Sequence, residues 1–261
     1  MKTIRLDVRY YHLTRRASVT EGEFHLRTLR RDYPADRIAL VLVDVWSEHY
    51  VSTHLQRGRE ITLERIIPVA DAFRSVGAAV IHAPSPDCAK RYEAWTRYAG
   101  DEEVFGGSSP APDDWPPAEF RSRTGEYEAW AQPKDPHDQV FEDTIRNRRI
   151  IPEAEPRDGD DVIVTGAQLH RLLKHRGVLH LFYAGFAANM CVPFRDYGMR
   201  AMKDRGYDII LVRDCTTAIE VADTSENLDL SRAAVIDTEV NIGYTASHSE
   251  LVAACRRALK T

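Results

Sequence analysis

LHLFYAGFAANMCVP, residues 179–193, is the stretch that decides the fold. It opens with an apolar run, Leu179 to Ala184, that is typical of a buried strand, and the run breaks at Gly185 into a turn of small residues. A helix is predicted to start at Cys191, because Pro193 suits a first helical turn. The unpaired N–H groups of a helix start stabilise a thiolate and can also hold an oxyanion. The pattern therefore indicates a nucleophilic cysteine, although a free cysteine is also commonly a small buried apolar residue.

A second run, Arg37 to Val43, has the β-branched and leucine composition of a strand that is buried on both faces, and it ends at Asp44. Ligands of open α/β sheets bind at the carboxyl ends of the strands, so Asp44 is a candidate functional carboxylate. The alternative is that Asp44 caps a helix or forms a turn.

Strand-like runs alternate with helical patterns along most of the chain. The runs are 38–43, 78–83, 161–164, 179–184, 208–213 and 233–236. Because such alternation is typical of parallel sheets covered on both faces, the sequence predicts a three-layer αβα fold of the α/β class. Its sheet is expected to be doubly wound, mainly parallel and Rossmann-like, with about six strands. The clearest helix spans Ile61 to Val76 and stops at Gly77.

We interpret residues 1–261 as a single domain with two additions. Residues 1–36 alternate between apolar and polar side chains in places, which predicts a β extension. Residues 84–157 form an insertion that is too long for an ordinary connection, and it carries three of the four tryptophans. A long, proline-dense segment of this kind indicates a lid or a binding loop.

The composition excludes several classes of function. With a formal net charge of −5, the chain lacks the excess of positive charge that is typical of proteins that bind nucleic acid. Its aliphatic runs are too short to cross a membrane. The four cysteines form no CxxC pair and the N-terminus has no secretion pattern, so we expect a cytoplasmic protein with free thiols. No GxGxxG, GxxxxGK[ST] or GxSxG motif is present, so no nucleotide cofactor and no serine nucleophile are expected.

Three stretches resemble the isochorismatase-like cysteine hydrolases, a family that includes nicotinamidases, biuret hydrolases and ureidoacrylate hydrolases. They are ALVLVD at 39–44, LFYAGFAANMCV at 181–192 and RDYGMRAMKDRGYDIILVRDCTTA at 195–218. The resemblance implies that Cys191 is the nucleophile and that Asp44 is the base that takes its proton. It also implies an oxyanion hole made by the backbone N–H groups of Ala187 and Cys191, with a cis peptide bond before Ala187.

The implied reaction is hydrolysis of a small amide, ureide or related C–N bond through an acyl-enzyme intermediate. The resemblance further implies a homodimer or larger homo-oligomer and no cofactor. The family's nicotinamidases carry an Asp-x-His metal motif that the stretch from His82 to Asp87 lacks, and His49 and His54 have no third partner, so no metal is expected. The predicted pocket wall consists of the side chains nearest in sequence to the two catalytic candidates, namely Trp46, Tyr50, Phe186 and Asn189.

The chain departs from the family at the catalytic lysine. The family lysine follows a short strand, here Asp160 to Val164, and Thr165 stands where the lysine is expected. Without a cation, Asp44 would raise the pKa of the thiol by like-charge repulsion. Two alternatives to a cysteine hydrolase therefore stay open: a ligand-binding protein that has lost catalysis, and a vinyl-ether hydrolase of the isochorismatase type that needs no thiol. The sequence leaves the lysine's role unassigned among several candidates, namely Lys174, His170, Lys134 and His137.

Overall fold

The computed structural model describes residues 2–105, 115–133, 135–136 and 138–260. The strands are β1 Thr3–His12, β2 His25–Pro34, β3 Ile38–Val43, β4 Ala79–Ala83, β5 Asp161–Val162, β6 His180–Phe186, β7 Asp208–Thr217 and β8 Tyr244–Ala246. The α-helices are α1 Ser52–Ile61, α2 Ile67–Val76, α3 Pro86–Ala89, α4 Asp101–Phe105, α5 Ala118–Ser122, α6 Gln139–Asn147, α7 Gly166–Arg176, α8 Cys191–Phe194, α9 Met199–Asp204, α10 Asp229–Asp237 and α11 His248–Ala258. None of the helices in these ranges is both long and apolar enough to span a membrane.

The described strands form one sheet in the order β2-β1-β8-β7-β6-β3-β4-β5. Every neighbouring pair from β8 to β5 is parallel. The hairpin of β1 and β2 is antiparallel and joins this core where Arg9 pairs with Thr245. The predicted fold class is confirmed, but the sheet has eight strands rather than about six, because the N-terminal extension adds two and pairs with the core.

Strand β3 shows why helices cover both faces of the sheet. All of its residues are buried. Leu40 and Leu42 pack on the face covered by α2 and α11, whereas Val41 and Val43 pack on the face covered by α7 and α9. Burial of each such side chain contributes about 1.5–3 kcal/mol to the stability of the fold. Strand β3 therefore holds the next residue, Asp44, in a fixed place.

Three predicted elements differ from the observed ones. Residues 233–236 lie inside α10, because four apolar residues fit one face of a helix as well as a strand, and the last parallel strand is β8. The helix expected from Ile61 begins at Ser52 and runs through a π-helical turn, Thr62–Ile66, into α2. It ends at Gly77, as predicted. Strand β5 covers only two of the four residues expected.

The N-terminal extension is a hairpin, as the alternating pattern predicted, and its strands pair from Thr3 with Pro34 to His12 with His25. Its buried residues, Ile4, Leu6, Val8 and Tyr33, belong to the same apolar cluster as the α2 and α11 face of the sheet. That the whole chain is one domain stays a prediction.

The insertion returns to the core beside Asp44. Ser47 N–H donates to the carbonyl of Arg149 at 2.9 Å, and Ile151 N–H donates to the carbonyl of Val45 at 3.1 Å. Trp46 forms a bridge with Ile150 between these two bonds. The last residues of the insertion are therefore held in register with the segment that follows β3.

A buried histidine and carboxylate predict how stability depends on pH. Burial lowers the pKa of His82 more than Asp160 raises it. Burial disfavours ionisation of Asp160, but hydrogen bonds from His82 at 3.1 Å and Arg74 at 2.6 Å outweigh it and hold the pKa of this carboxyl well below its usual range. Both groups bind fewer protons in the folded protein than in the unfolded chain, so stability is lost as pH falls, first below about 6.5 through His82.

We expect the free energy of unfolding, measured in urea, to fall through His82 between pH 7 and pH 5, because the unfolded chain takes up a proton at this residue that the folded protein does not. The variant His82→Gln keeps a donor for Asp160 but does not titrate, so its stability should depend less on pH over this interval. Equal slopes for the two proteins would contradict the prediction.

Candidate active site

The candidate site lies where the strand order of the sheet reverses. The chain runs outward from β3 to β4 and β5 and then returns to place β6 on the other side of β3. Doubly wound folds bind ligands at this switch point, outside the carboxyl ends of the strands. Asp44 directly follows β3, and the turn to Cys191 follows β6, so the topology brings the two candidates together.

Strands β3 and β6 approach each other closely at Gly185. This residue pairs with Val43 and has a φ of 113°. Residues other than glycine rarely adopt such a backbone angle. A Cβ atom at Gly185 would lie 1.9 Å from the carbonyl oxygen of Val43. The glycine therefore permits the contact that puts Asp44 beside the turn.

Asp44 is fully buried, and its φ of 48° lies in the left-handed region. The indole N–H of Trp46 donates to Oδ1 at 3.0 Å. The other oxygen, Oδ2, accepts no hydrogen bond from the residues that the structure describes. Burial raises the pKa of this carboxyl, and the nearby Cys191 thiol and Arg195 oppose the increase without cancelling it. A buried carboxyl with one open oxygen and a raised pKa is suited to act as a base.

Cys191 is the first residue of α8 and is half-buried. The peptide bond between Phe186 and Ala187 is cis, as the resemblance implied. In the described chain, no backbone hydrogen bond uses the N–H groups of Ala187 or Cys191, whereas Ala188 N–H donates to the carbonyl of Thr217 at 3.0 Å. Both N–H groups are therefore without a backbone partner among the described residues, and one of them belongs to the same residue as the thiol.

The thiol itself is not activated in the resting protein. Burial raises the pKa of Cys191 to about 12, and the Asp44 carboxylate adds to the increase. The contribution of Asp44 has the direction that like-charge repulsion predicts, and α8, at whose start the thiol lies, has only four residues. The thiol is protonated at neutral pH, so nucleophilic attack requires a base, and Asp44 is in place to be that base.

The cation beside this pair is Arg195, a residue that our reading of the sequence missed. Its Nη2 lies 3.7 Å from Oδ2 of Asp44, and its guanidinium also interacts with the Cys191 thiol. Arg195 follows Cys191 by four residues, which is the spacing that places two side chains on one side of a helical turn. That spacing is the signal in the sequence from which Arg195 could have been found.

The cations considered from the sequence lie elsewhere or outside the described residues. His170 contacts Tyr207 through its Nδ1 at 2.8 Å, and Lys174 is exposed in the last turn of α7. Lys134 and His137 lie outside the described residues. Neither of the two described candidates is placed against Asp44.

Thr165, which we expect to stand in place of the family lysine, makes two hydrogen bonds at the start of α7. Its hydroxyl accepts from Gln168 N–H at 3.1 Å, which caps α7, and donates to Glu103 at 2.5 Å. Glu103 is buried and forms an ion pair with Arg171 at 2.6 Å. The Thr165 hydroxyl therefore links Glu103 of the insertion to the start of α7.

We expect Thr165→Ala to cost about 1 kcal/mol of stability through loss of the cap, and to leave the alkylation rate of Cys191 within about twofold of wild type. Thr165→Ser, which keeps the hydroxyl, is the matched control for stability. Urea unfolding and iodoacetamide labelling measure the two effects. A change of tenfold or more in the labelling of Cys191 would contradict a purely structural role.

The predicted pocket residues separate into three environments. Trp46 and Phe186 line a small cavity of about 10 Å³ together with His49, His54, Leu55 and Gly58. Tyr50 is exposed and stacks on His49, and the ring of Phe141, in the insertion, lies 4.9 Å from the Tyr50 ring in a tilted contact. Asn189 does not line this cavity: its side chain exchanges two hydrogen bonds of 3.1 Å with the backbone of Ile219 and so fixes the turn that carries Cys191.

The histidines of this wall are neutral at physiological pH. Burial lowers the pKa of His49 to about 4, and burial also lowers the pKa of His54. Across the part of the chain that the structure describes, no group of three or more His, Cys, Asp or Glu side chains is arranged to hold a metal ion. Above the wall, the guanidinium of Arg148 lies 4.4 Å from the ring centre of Trp46.

The fold and the strand-end site define a doubly wound α/β protein, and comparison with known proteins assigns its family. The model of the Isochorismatase domain matches residues 38–240, so the chain belongs to the isochorismatase family of hydrolases. The N-terminal hairpin lies outside this match. No curated protein sequence matches the chain.

Two solved structures share the fold at low sequence identity. A cysteine hydrolase from Pseudomonas syringae pv. phaseolicola 1448A is 16% identical with a TM-score of 0.53, and the match covers 86% of this chain and 95% of that one. An isochorismatase family protein from Burkholderia thailandensis is 17% identical with a TM-score of 0.50, and the match covers 85% and 96% of the two chains. At these identities the likeness concerns the fold alone.

Proposed function

We propose that this chain is a cysteine-dependent hydrolase of a small amide, ureide or related C–N bond that works through an acyl-enzyme intermediate. The observation that carries the proposal is the buried Asp44 carboxylate, which presents an open oxygen beside the Cys191 thiol and two free backbone N–H groups at the switch point of the sheet. Membership of a hydrolase family supports the reaction type.

In the proposed mechanism, Asp44 takes the proton of Cys191 as the sulfur attacks the carbonyl carbon of the substrate. The oxyanion that forms accepts hydrogen bonds from the N–H groups of Ala187 and Cys191. Asp44 then passes the proton to the leaving nitrogen, the C–N bond breaks, and ammonia or an amine departs from a thioester. Water attacks the thioester after giving a proton to Asp44, the C–S bond breaks, and the sulfur regains the proton.

The surroundings favour a small planar substrate. The wall beside the site is aromatic and leaves little free volume, as the cavity lined by Trp46 and Phe186 shows. The insertion also reaches this wall, since Arg148 lies over Trp46 and Phe141 contacts Tyr50. We therefore propose that residues 84–157 act as a lid that admits and selects the substrate. A cytoplasmic homodimer or larger homo-oligomer remains our expectation, which native mass spectrometry of the purified protein tests for assembly.

The test is a panel of small amides and ureides with ammonia release as the assay, together with peptide mass spectrometry to find an acyl group on Cys191. Cys191→Ala should lose turnover of any substrate found, while Cys255→Ala, which removes a buried thiol from α11, should keep it. Unchanged turnover in Cys191→Ala would overturn the proposal. Hydrolysis of a vinyl ether that thiol alkylation does not inhibit, or ligand binding with an inert Cys191, would also overturn it.

A further inference from the structure

The structure assigns to Arg195 the part of the missing lysine: its guanidinium is the catalytic cation that neutralises the charge shared by Asp44 and Cys191. The inference rests on the proposed function, since it names a third group of that site. It also moves the expected position of the cation from Thr165, the cap residue of α7, to the helical turn that carries Cys191.

The geometry of the turn supports this assignment. Arg195 lies directly after α8 and is four residues from Cys191, so one helical turn carries both groups. Its Nη2 is 3.7 Å from the Oδ2 atom of Asp44, the oxygen that accepts no hydrogen bond in the described chain. Its Nε atom is buried without a partner among the described residues. The Arg195 side chain is 37% exposed, but its buried, unpaired Nε donor is costly unless a ligand or a charge uses it.

The other polar and charged groups around the pair do not fit the role. Arg148 affects Asp44 but stacks on the ring of Trp46. Tyr197 is buried and neutral, and its hydroxyl donates to the carbonyl of Pro84 at 3.2 Å. Trp46 donates a hydrogen bond without a charge. Arg195 is the described cation that interacts with both Asp44 and Cys191.

The charge has a defined use in the reaction. When one proton is shared between them, Asp44 and Cys191 together hold one negative charge, whichever of them carries that proton. A neighbouring guanidinium balances that charge both before and after the proton moves, and so lowers the cost of forming the thiolate. Because arginine keeps its proton throughout, Arg195 acts through its charge and its hydrogen bonds and not as an acid or base.

The experiment is iodoacetamide labelling of Cys191 from pH 6 to pH 11, read by peptide mass spectrometry, in wild type, Arg195→Gln, Arg195→Lys and Arg205→Gln. Loss of an opposite charge at this distance should slow labelling of Cys191 at pH 9 by at least about tenfold in Arg195→Gln and move its profile to higher pH. Arg195→Lys keeps the charge and should recover most of the rate. Arg205, exposed after α9, is the matched control and should show the wild-type profile when changed.

The outcomes separate this inference from the function on which it rests. A wild-type profile in Arg195→Gln would overturn the role of Arg195, while leaving Cys191 as the nucleophile. Equal slowing in Arg195→Gln and Arg195→Lys would also overturn it, because the effect would then come from shape and not from charge. A wild-type protein that turns over no amide or ureide of the panel and forms no acyl group on Cys191 would count against the proposed function instead.

Discussion

Replacing Asp44 with asparagine is expected to make Cys191 more reactive towards iodoacetamide and, at the same time, to abolish hydrolysis. The Asp44 carboxylate adds to the raised pKa of the Cys191 thiol, so its removal lowers that pKa and increases the fraction of thiolate at pH 8 to 9. Asparagine is one of the few residues that adopt the left-handed backbone of this position, so the fold should be kept. Hydrolysis fails because no group remains to carry the proton to the leaving nitrogen.

The size of the two effects distinguishes them from general damage. Loss of a general acid and base typically costs about 10²- to 10⁴-fold in turnover, whereas labelling of Cys191 should rise several-fold. Asp204→Asn, on the exposed side of α9, is the control for loss of one carboxylate. If labelling of Cys191 and turnover both fell in Asp44→Asn, the carboxylate would be supporting the structure of the site and not holding the proton.

Gly185→Ala is expected to destabilise the protein by about 3–6 kcal/mol, which is a large share of the total stability of a typical domain. The added Cβ would lie 1.9 Å from the carbonyl oxygen of Val43, so β3 and β6 would have to separate. The left-handed φ of 113° adds strain of its own. Gly206→Ala is the matched control, because Gly206 has a φ of 93° and nothing within 4 Å of the added atom. It should cost only about 1 kcal/mol.

Thermal and urea unfolding of the two variants measure the difference. Since separation of β3 and β6 also moves Asp44 away from the nucleophile turn, any folded Gly185→Ala protein should label at Cys191 with an altered pH profile. Similar stabilities for the two glycine variants would mean that the sheet relaxes at Gly185 at little cost.

The elements predicted correctly are those whose sequence pattern fits only one kind of secondary structure. Strands β3 and β6 are continuous apolar runs bounded by a charged or glycine residue, and both occupy the middle of the sheet. Residues 233–236 were misassigned because four apolar residues do not reveal a period. Strand β8 is only three residues long, and pairing with β7 and β1, not local preference, makes it a strand.

The candidate site divides in the same way. Asp44 and Cys191 each stand where a buried strand ends, so the sequence points to them without help from the fold. The sequence offers cations on α7, namely His170 and Lys174, and in the insertion, namely Lys134 and His137, and none of these residues belongs to the turn that carries Cys191. Arg195 escaped notice because its position depends on the turn that Cys191 begins, and the short length of α8 conceals the helical spacing.

Residues 45–47 pair in antiparallel fashion with residues 149–151, so backbone hydrogen bonds join the segment after Asp44 to the insertion. Asp44 therefore has an anchor that does not depend on the side chains farther out in the insertion. Substitutions there, away from the core contacts of Cys88, Ala89 and Glu103, are a way to change which molecules reach the thiol without moving Asp44.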